Sequence, residues 1–165
     1  MKLVVRPAAH GDAERIHELI DAHTFREDGS GYLIPVDTEE IRSIADDGRF
    51  FVADDDGSLA GCASVLDYNG IAELRSFVVA REYRERGVGR ALLEYGKQRA
   101  AEAGHEVLYA LVNKEALGVF ESNGFEPAAY RPLEKLQRDC IRCPLYKRGC
   151  REQTVVFRLP SNGNR

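Results

Sequence analysis

The ten residues at 81–90, REYRERGVGR, constrain this chain more than any other stretch, because they join an apolar run ending at Val79 to an apolar helical stripe opening at Val88. Gly87 and Gly89 let the backbone turn tightly with no β-carbon in the way. A glycine-bearing turn that feeds the start of a helix aims several free N–H groups at one point, and the helix dipole adds positive potential there. Arg84, Arg86 and Arg90 add guanidinium groups shaped for phosphate oxygens. The combination describes a pyrophosphate cradle. It is not a nucleoside-triphosphate loop, since no Gly-Lys-Ser/Thr follows, and it lacks the G-x-G-x-x-G spacing of a dinucleotide fingerprint. The string R-x-x-G-x-G recurs by chance and arginines usually lie on solvated faces, so the flanking strand and helix carry the reading.

The rest of the chain supplies that context. Residues 3–6 read as a first strand stopped at Pro7, and a helix follows with Asp12 in its first turn and Ala13, Ile16, Leu19 and Ile20 on one face. Residues 24–35 are polar and aperiodic, a loop placed to frame a substrate pocket. Asp37 and Glu40 have capping-box spacing ahead of Ile41, Ile44 and Ala45. Strands at 50–53, 59–66 and 71–79 follow, joined by Asp55-Asp56-Gly57 and by Asn69-Gly70, a strong hairpin signal.

Val88, Ala91, Leu92, Tyr95 and Ala103 make a helical stripe that Gly104 stops. The apolar run 107–112 suits a central strand, and Asn113 caps another helix carrying Ala116, Leu117 and Phe120, closed by Gly124. Strand, helix, strand, helix is a crossover unit, so two strands should run parallel there. Residues 154–159 form the last strand. The expectation is one α/β (α+β) domain over residues 1–160, with a mixed, mostly antiparallel sheet flanked by about four helices and a frayed tail at 161–165.

Composition narrows the function classes. The chain has 165 residues, 44% apolar and 30% charged, which fits one folded core and argues against disorder. Its net charge of -4 lacks the basic footprint of a nucleic-acid binder, so no nucleic-acid partner is expected. No run approaches the roughly 20 apolar residues that cross a bilayer, and the start is too weakly apolar for a secretory segment. No membrane association and a cytoplasmic location are therefore expected; nothing in the sequence opposes a homodimer.

RERGVG at 84–89 resembles the acetyl-CoA signature of the GNAT acetyltransferases, and the long helix, the 107–112 strand, Asn113 and a short helix ending in Asn123-Gly124-Phe125 follow in the family's order. The likeness spans most of the chain and is strongest over about 71–125. Within it, AELRSFVV at 72–79 and LEKLQRDCIRCP at 133–144 are similar to the acetyltransferase domain of N-acetylglutamate synthases and related short amino-acid acetyltransferases. Those tend to carry A-E-I-R-S-L and L-P-E-K-x-W-x-D-C-x-x-C-P. This chain departs at Pro132-Leu133, which reverses Leu-Pro, and at Gln137, where tryptophan is common. It also has Arg151 instead of an acid after Cys150, and Val36 where relatives often have arginine.

The resemblance implies a GNAT fold, acetyl-CoA as cosubstrate and acetyl transfer to a primary amine, with the α-amino group of a small amino acid such as glutamate favoured as acceptor. It implies that backbone N–H groups around Phe77, Val78 and Val79 receive the acetyl and pantetheine carbonyls. Arg84, Arg86, Gly87, Val88, Gly89, Arg90 and Ala91 would hold the diphosphate, with Asn113 and Phe120 completing the cofactor site. Many relatives place a tyrosine at the position of Phe120 to protonate the departing thiolate. A phenyl ring cannot do this, although synthase-like members often share the phenylalanine; the sequence does not name the acid, and water or a tyrosine from elsewhere, such as Tyr130, could serve.

Acetyl transfer needs an amine stripped of its proton, a polarised carbonyl and a leaving thiolate. Alternation along 71–79 places Glu73, Arg75 and Phe77 on one face and Leu74, Ser76 and Val78 on the other. Glu73 is the candidate general base, acting through water, because burial in an apolar strand favours proton uptake by a carboxylate. The alternative is a cross-strand ion pair with no chemistry. Arg75 is the candidate for holding a substrate carboxylate in bidentate fashion, against a plain ion pair with Glu73 or a neighbour.

Cys140, Cys143 and Cys150 put three thiols in one segment, but a closed zinc site wants four ligands and only the distant Cys62 or a histidine is left to complete it. No metal is expected; a disulfide and reduced packing thiols are the other readings. Lys135, Arg138, Arg142, Lys147 and Arg148 make the segment basic, by default a solvated face. Two other functions stay open: acetylation of a peptide N-terminus or other small amine, and a non-catalytic acyl-CoA-binding module. The missing tyrosine favours the module; Glu73 with Arg75 opposes it.

Overall fold

A computed structural model describes residues 1–161. Seven strands form one sheet: β1 (Leu3–Pro7), β2 (Phe50–Asp55), β3 (Ser58–Tyr68), β4 (Ile71–Val79), β5 (Val107–Val112), β6 (Glu126–Pro127) and β7 (Gln153–Arg158), in the order β1-β2-β3-β4-β5-β7-β6. Every pairing is antiparallel except β4 with β5. That exception is the expected crossover, made by α3 (Val88–Glu102), because parallel neighbours cannot be joined by a tight turn. The two hairpins close as their sequences require: Asp56 and Gly57, then Asn69 and Gly70, all take positive φ. β1 ends at Pro7 as expected, the proline being its last residue and tolerated there because β1 is an edge strand.

Helices cover both faces. α3 and α4 (Lys114–Ser122) lie on one; α1 (Ala13–Asp21) and α2 (Thr38–Asp46) lie on the other. The Asp37 carboxylate accepts the Glu40 N–H at 2.8 Å and the Asn113 side chain accepts the Ala116 N–H at 2.8 Å, so both expected caps form. To the four long helices the fold adds two short ones, α5 (Leu133–Arg138) and α6 (Pro144–Lys147), and the two-residue β6. Their missing sequence signal has a plain cause: neither short helix is long enough to display a period. The expected tail lies, from residue 162 onward, outside the described residues. No helix among them is long and apolar enough to cross a membrane.

The stripe read for α3 needs correction. Its buried positions are Val88, Leu92, Leu93, Gly96, Lys97 and Ala100, whereas Ala103 is exposed and caps the end. Gly96 is the position pattern reading cannot value. A β-carbon there would stand 2.6 Å from Leu74 Cδ1, so the absent side chain lets the helix lie close on β4.

Strict alternation along β4 also fails. Register with β3 runs from Ser64↔Arg75 to Cys62↔Val78, leaving two β4 residues opposite Ala63, and Ser76 takes φ 52°. This bulge reverses the faces beyond it. Ala72 and Leu74 point to the α3 side, and so do Phe77 and Val79, while Val78 joins the α1–α2 side. Glu73 and Arg75 therefore do not share a face with Phe77, contrary to the sequence expectation.

Candidate active site

The parallel pairing of β4 with β5 extends only from Ala72↔Leu108 to Leu74↔Ala110. Beyond it the strands part, and two cavities open that share Tyr32, Phe77, Asn113 and Ala116. One runs along the glycine turn toward α3; the other lies under the 24–37 loop and the α5–α6 segment.

The first cavity is built by the turn. Gly87 takes φ 82° and caps α3 with no side-chain hydrogen bond. The first N–H bonded inside the helix is that of Ala91, to Gly87 O at 3.0 Å, so the N–H groups of Val88, Gly89 and Arg90 remain outside its ladder. Nothing stands within 4 Å of where a Gly87 β-carbon would be, leaving the helix end open. Phe77, Val78, Val79, Arg84, Gly87, Gly89, Arg90 and Asn113 all line this cavity. Three expected cofactor residues take other positions. Val88 is 1% exposed with its side chain in the core, so only its backbone N–H can serve a ligand. Arg86 leans over the Tyr83 ring at 6.0 Å, and neither it nor Ala91 lines the cavity.

Phe120 lines the second cavity, while most of it is core: its ring packs edge-on against Phe77 at 5.1 Å and Phe125 at 5.0 Å. The same cavity is lined by Glu73 and Arg75. Glu73 is 3% exposed, yet its surroundings are not apolar. Lys135 Nζ, itself buried, lies 2.6 Å from one carboxylate oxygen, and the Tyr68 hydroxyl donates to the other. Burial and the Glu73 charge push the Tyr68 phenol well above its usual range, so it stays a donor. Lys135 also bonds Asp139 at 2.8 Å, and Asp139 lies 3.5 Å from Arg75. Burial works against Asp139, but Arg75 and Lys135 together hold its carboxyl below the ordinary value. Glu73, Lys135, Asp139 and Arg75 thus form a chain of alternating charge, buried at Glu73 and Lys135, with Arg138 adding a third cation 3.8 Å from Asp139 at its outer end.

Sequence reading found two members of that chain and missed two. The basic segment is solvated at Arg138, which is exposed while stacking on the Tyr68 ring at 4.5 Å, but Lys135 departs from that expectation and is buried against Glu73. The signal was present in LEKLQRD, where Lys135 and Asp139 stand one helical turn apart and pair as i, i+4 neighbours. Tyr130 is 66% exposed and lines neither cavity, which removes it as the acid.

Cys140, Cys143 and Cys150 all line the second cavity. Arg131, another residue the sequence did not mark, contacts Cys140 Sγ at 3.4 Å and Cys150 Sγ at 3.8 Å and donates to Glu152 O at 2.9 Å. Among the described residues no three metal-ligating side chains converge on one point. The cysteines are unbridged.

This architecture has known counterparts. The sequence model of the acetyltransferase (GNAT) family matches residues 13–125. An uncharacterized N-acetyltransferase of Chlorobaculum tepidum is 33% identical over 94% of this chain and 96% of its own length. The amino-acid acetyltransferase of Mannheimia succiniciproducens is 29% identical over 82% of this chain, which spans only 30% of that protein. The N-acetylglutamate synthase of Neisseria gonorrhoeae, solved with coenzyme A and N-acetyl-glutamate, superposes on 97% of this chain with a TM-score of 0.79 and 25% identity. Here too the chain spans about a third, 36%, of the longer relative. A match over two thirds of the sequence, a full-length relative and a shared fold lead to one conclusion: the chain belongs to the GNAT acetyltransferase family.

Proposed function

We propose that this protein moves the acetyl group of acetyl-CoA onto the α-amino group of a small amino acid, glutamate foremost. The observation that carries this reading is the meeting of two unlike cavities, one with an open helix end and two arginines, the other lined by Glu73, Arg75, Arg131 and Lys135. The first fits the diphosphate of acetyl-CoA, since unbonded N–H groups and guanidinium groups both favour phosphate oxygens. The second offers cations for the carboxylates of an amino acid. The likeness to amino-acid acetyltransferases supports the same choice.

The chemistry follows from the shared wall. Where β4 leaves β5, backbone N–H groups near Phe77 polarise the thioester carbonyl. The acceptor arrives as an ammonium ion. Lys135 and Tyr68 each take one site on the Glu73 carboxylate, and each oxygen keeps a further lone pair. A water held there takes the ammonium proton and relays it to Glu73. The neutral amine attacks the carbonyl carbon, the nitrogen of the tetrahedral intermediate sheds its extra proton to water, the C–S bond breaks, and the thiolate leaves with the electron pair and takes up a proton. Arg75 orients the substrate, its contact to Asp139 being long enough to leave donors free.

An acceptor with an uncharged side chain is the second reading. Val36 supports it, because this wall of the cavity carries an apolar side chain where relatives often place a cation. A thiol-release assay over amino acids and peptides separates the readings. Fastest release with glutamate is expected. Faster release with neutral amino acids moves the assignment to them, and release only with peptide N-termini or with no amine overturns it. Glu73→Gln should lower kcat by about 10²–10⁴ while calorimetric CoA affinity is kept; an unchanged rate removes Glu73 as base.

A further inference from the structure

The leaving thiolate needs a proton, and the residues first considered for supplying it do not qualify. Phe120 has none to give, Tyr130 lies outside both cavities, and the Tyr68 hydroxyl is committed to Glu73. The Asn113 side chain is an amide and caps α4.

Of the proton-bearing groups left in the cavities, the Tyr32 phenol that both share is pushed up by burial and so is a weaker acid, and a carboxyl follows directly on the end of the β5–β7 ladder. The β5–β7 ladder ends at Val112↔Gln153, and the next residues along, Asn113 and Glu152, both line the acceptor-side cavity, Asn113 being one of the residues that the two cavities share. Glu152 lines the acceptor-side cavity together with Phe120 and Asn113. Its carboxyl makes no hydrogen bond to any described residue; Arg131 donates to the Glu152 backbone carbonyl and turns toward the thiols instead. We propose that Glu152 is the general acid of this enzyme, returning a proton to the CoA thiolate directly or through one water. The assignment rests on the acetyl-transfer reading above.

The step balances simply. As the tetrahedral intermediate collapses, the C–S pair goes to sulfur, the Glu152 O–H bond breaks, an S–H bond forms, and the carboxylate later regains its proton from solvent. Burial pushes the Glu152 carboxyl up to about 7, against the pull of Arg131. It is therefore partly protonated near neutrality, and donation to an alkyl thiolate, whose thiol ionises near about 8.5, is downhill. The other charged groups facing this cavity are Glu73 and Arg75 from β4 and Lys135 from α5. Its remaining titratable groups are the thiols of Cys140, Cys143 and Cys150 and the phenols of Tyr32 and Tyr146.

Two measurements on the full chain test this. In the first, kcat is followed against pH for the native protein and Glu152→Gln. An acid must be protonated to act, so native kcat should fall as pH rises through about 7, and Glu152→Gln should lose that limb together with about 10²–10⁴ in kcat. Glu152→Asp should recover part of the rate. An acidic limb that vanishes in Glu152→Gln would make the residue a base and overturn the assignment, as would unchanged kinetics. The second needs no acceptor: ultraviolet absorbance of the CoA thiolate is titrated in the binary complexes. A carboxylate beside sulfur opposes its ionisation, so bound thiol should ionise at higher pH in the native protein than in Glu152→Gln. Identical titrations overturn the assignment whatever the acceptor. Native protein silent toward every amine overturns the acetyl-transfer reading itself, and the acid step with it.

Discussion

Glu73 shows how far a single residue's role depends on what surrounds it. Read along the strand it is a carboxylate among apolar neighbours; in the fold it is one link in the chain Arg75–Asp139–Lys135–Glu73, closed by Tyr68. A buried ion pair contributes little net stability while whole, but losing one partner strands a charge. Lys135→Ala leaves the buried Glu73 carboxylate with no cation, only the Tyr68 hydroxyl, while Asp139 keeps Arg75 and Arg138, and should destabilise the protein by about 3–5 kcal/mol in urea unfolding. Adding Glu73→Gln to Lys135→Met should recover most of that loss, because both charges are then gone. A cost below about 1 kcal/mol for Lys135→Ala would show the pair to be solvated.

Two elements set the site's shape, and both work through backbone conformation. The Ser76 bulge turns β4 over, so that Glu73 and Arg75 line the second cavity from the opposite face to Phe77, which packs on Phe120 toward α4. The left-handed Gly87 ends the turn and leaves the first N–H groups of α3 unbonded. Open space around Gly87 means that a small side chain meets no clash, so Gly87→Ala should cost only the left-handed strain, about 1–2 kcal/mol of stability. Gly87→Glu adds a negative charge at the positive end of the helix, where phosphate must approach. Calorimetry should show CoA affinity falling by at least about 100-fold for Glu and far less for Ala. Micromolar binding that survives in Gly87→Glu would refute the cradle.

Across the whole molecule, carboxyl groups of opposite tendency shape the response to pH. The hydrogen bond from Arg6 holds Asp12 below its usual range against burial, and Asp139 is likewise depressed. Such groups stabilise the fold above the unfolded carboxylate value, about 3.9, and lose that contribution as pH falls through their lower folded values. Glu152 has the opposite sign. Its folded value near 7 lies above the unfolded one, so its protonated form favours folding and that advantage disappears as pH rises from about 4 to 7. Glu152→Gln should therefore be more stable than the native protein at pH 8, by on the order of 1–2 kcal/mol after allowance for its partial exposure, while being the slower enzyme. Equal stability at pH 8 would show the carboxyl to be fully solvated. The combination of lost rate and gained stability is what a strained functional group predicts.

The sequence by itself determined the antiparallel meander before the crossover, the caps at Asp37 and Asn113, both hairpin turns and the glycine turn that opens α3, because each rests on local chemistry: periodicity, a capping oxygen, a glycine free to take positive φ. Glu73 and Arg75 were legible as candidates because charges inside an apolar strand demand a reason. Only the tertiary structure decided that Lys135, Tyr68 and Asp139 complete them, that Ser76 reverses the strand, and that Glu152 lines the same cavity as Glu73. Those contacts join residues as many as 62 positions apart, as Glu73 to Lys135 does by number, and no periodicity reports them. Burial supplies the physical reason: a carboxyl's partners and its affinity for a proton are set by what the fold packs around it.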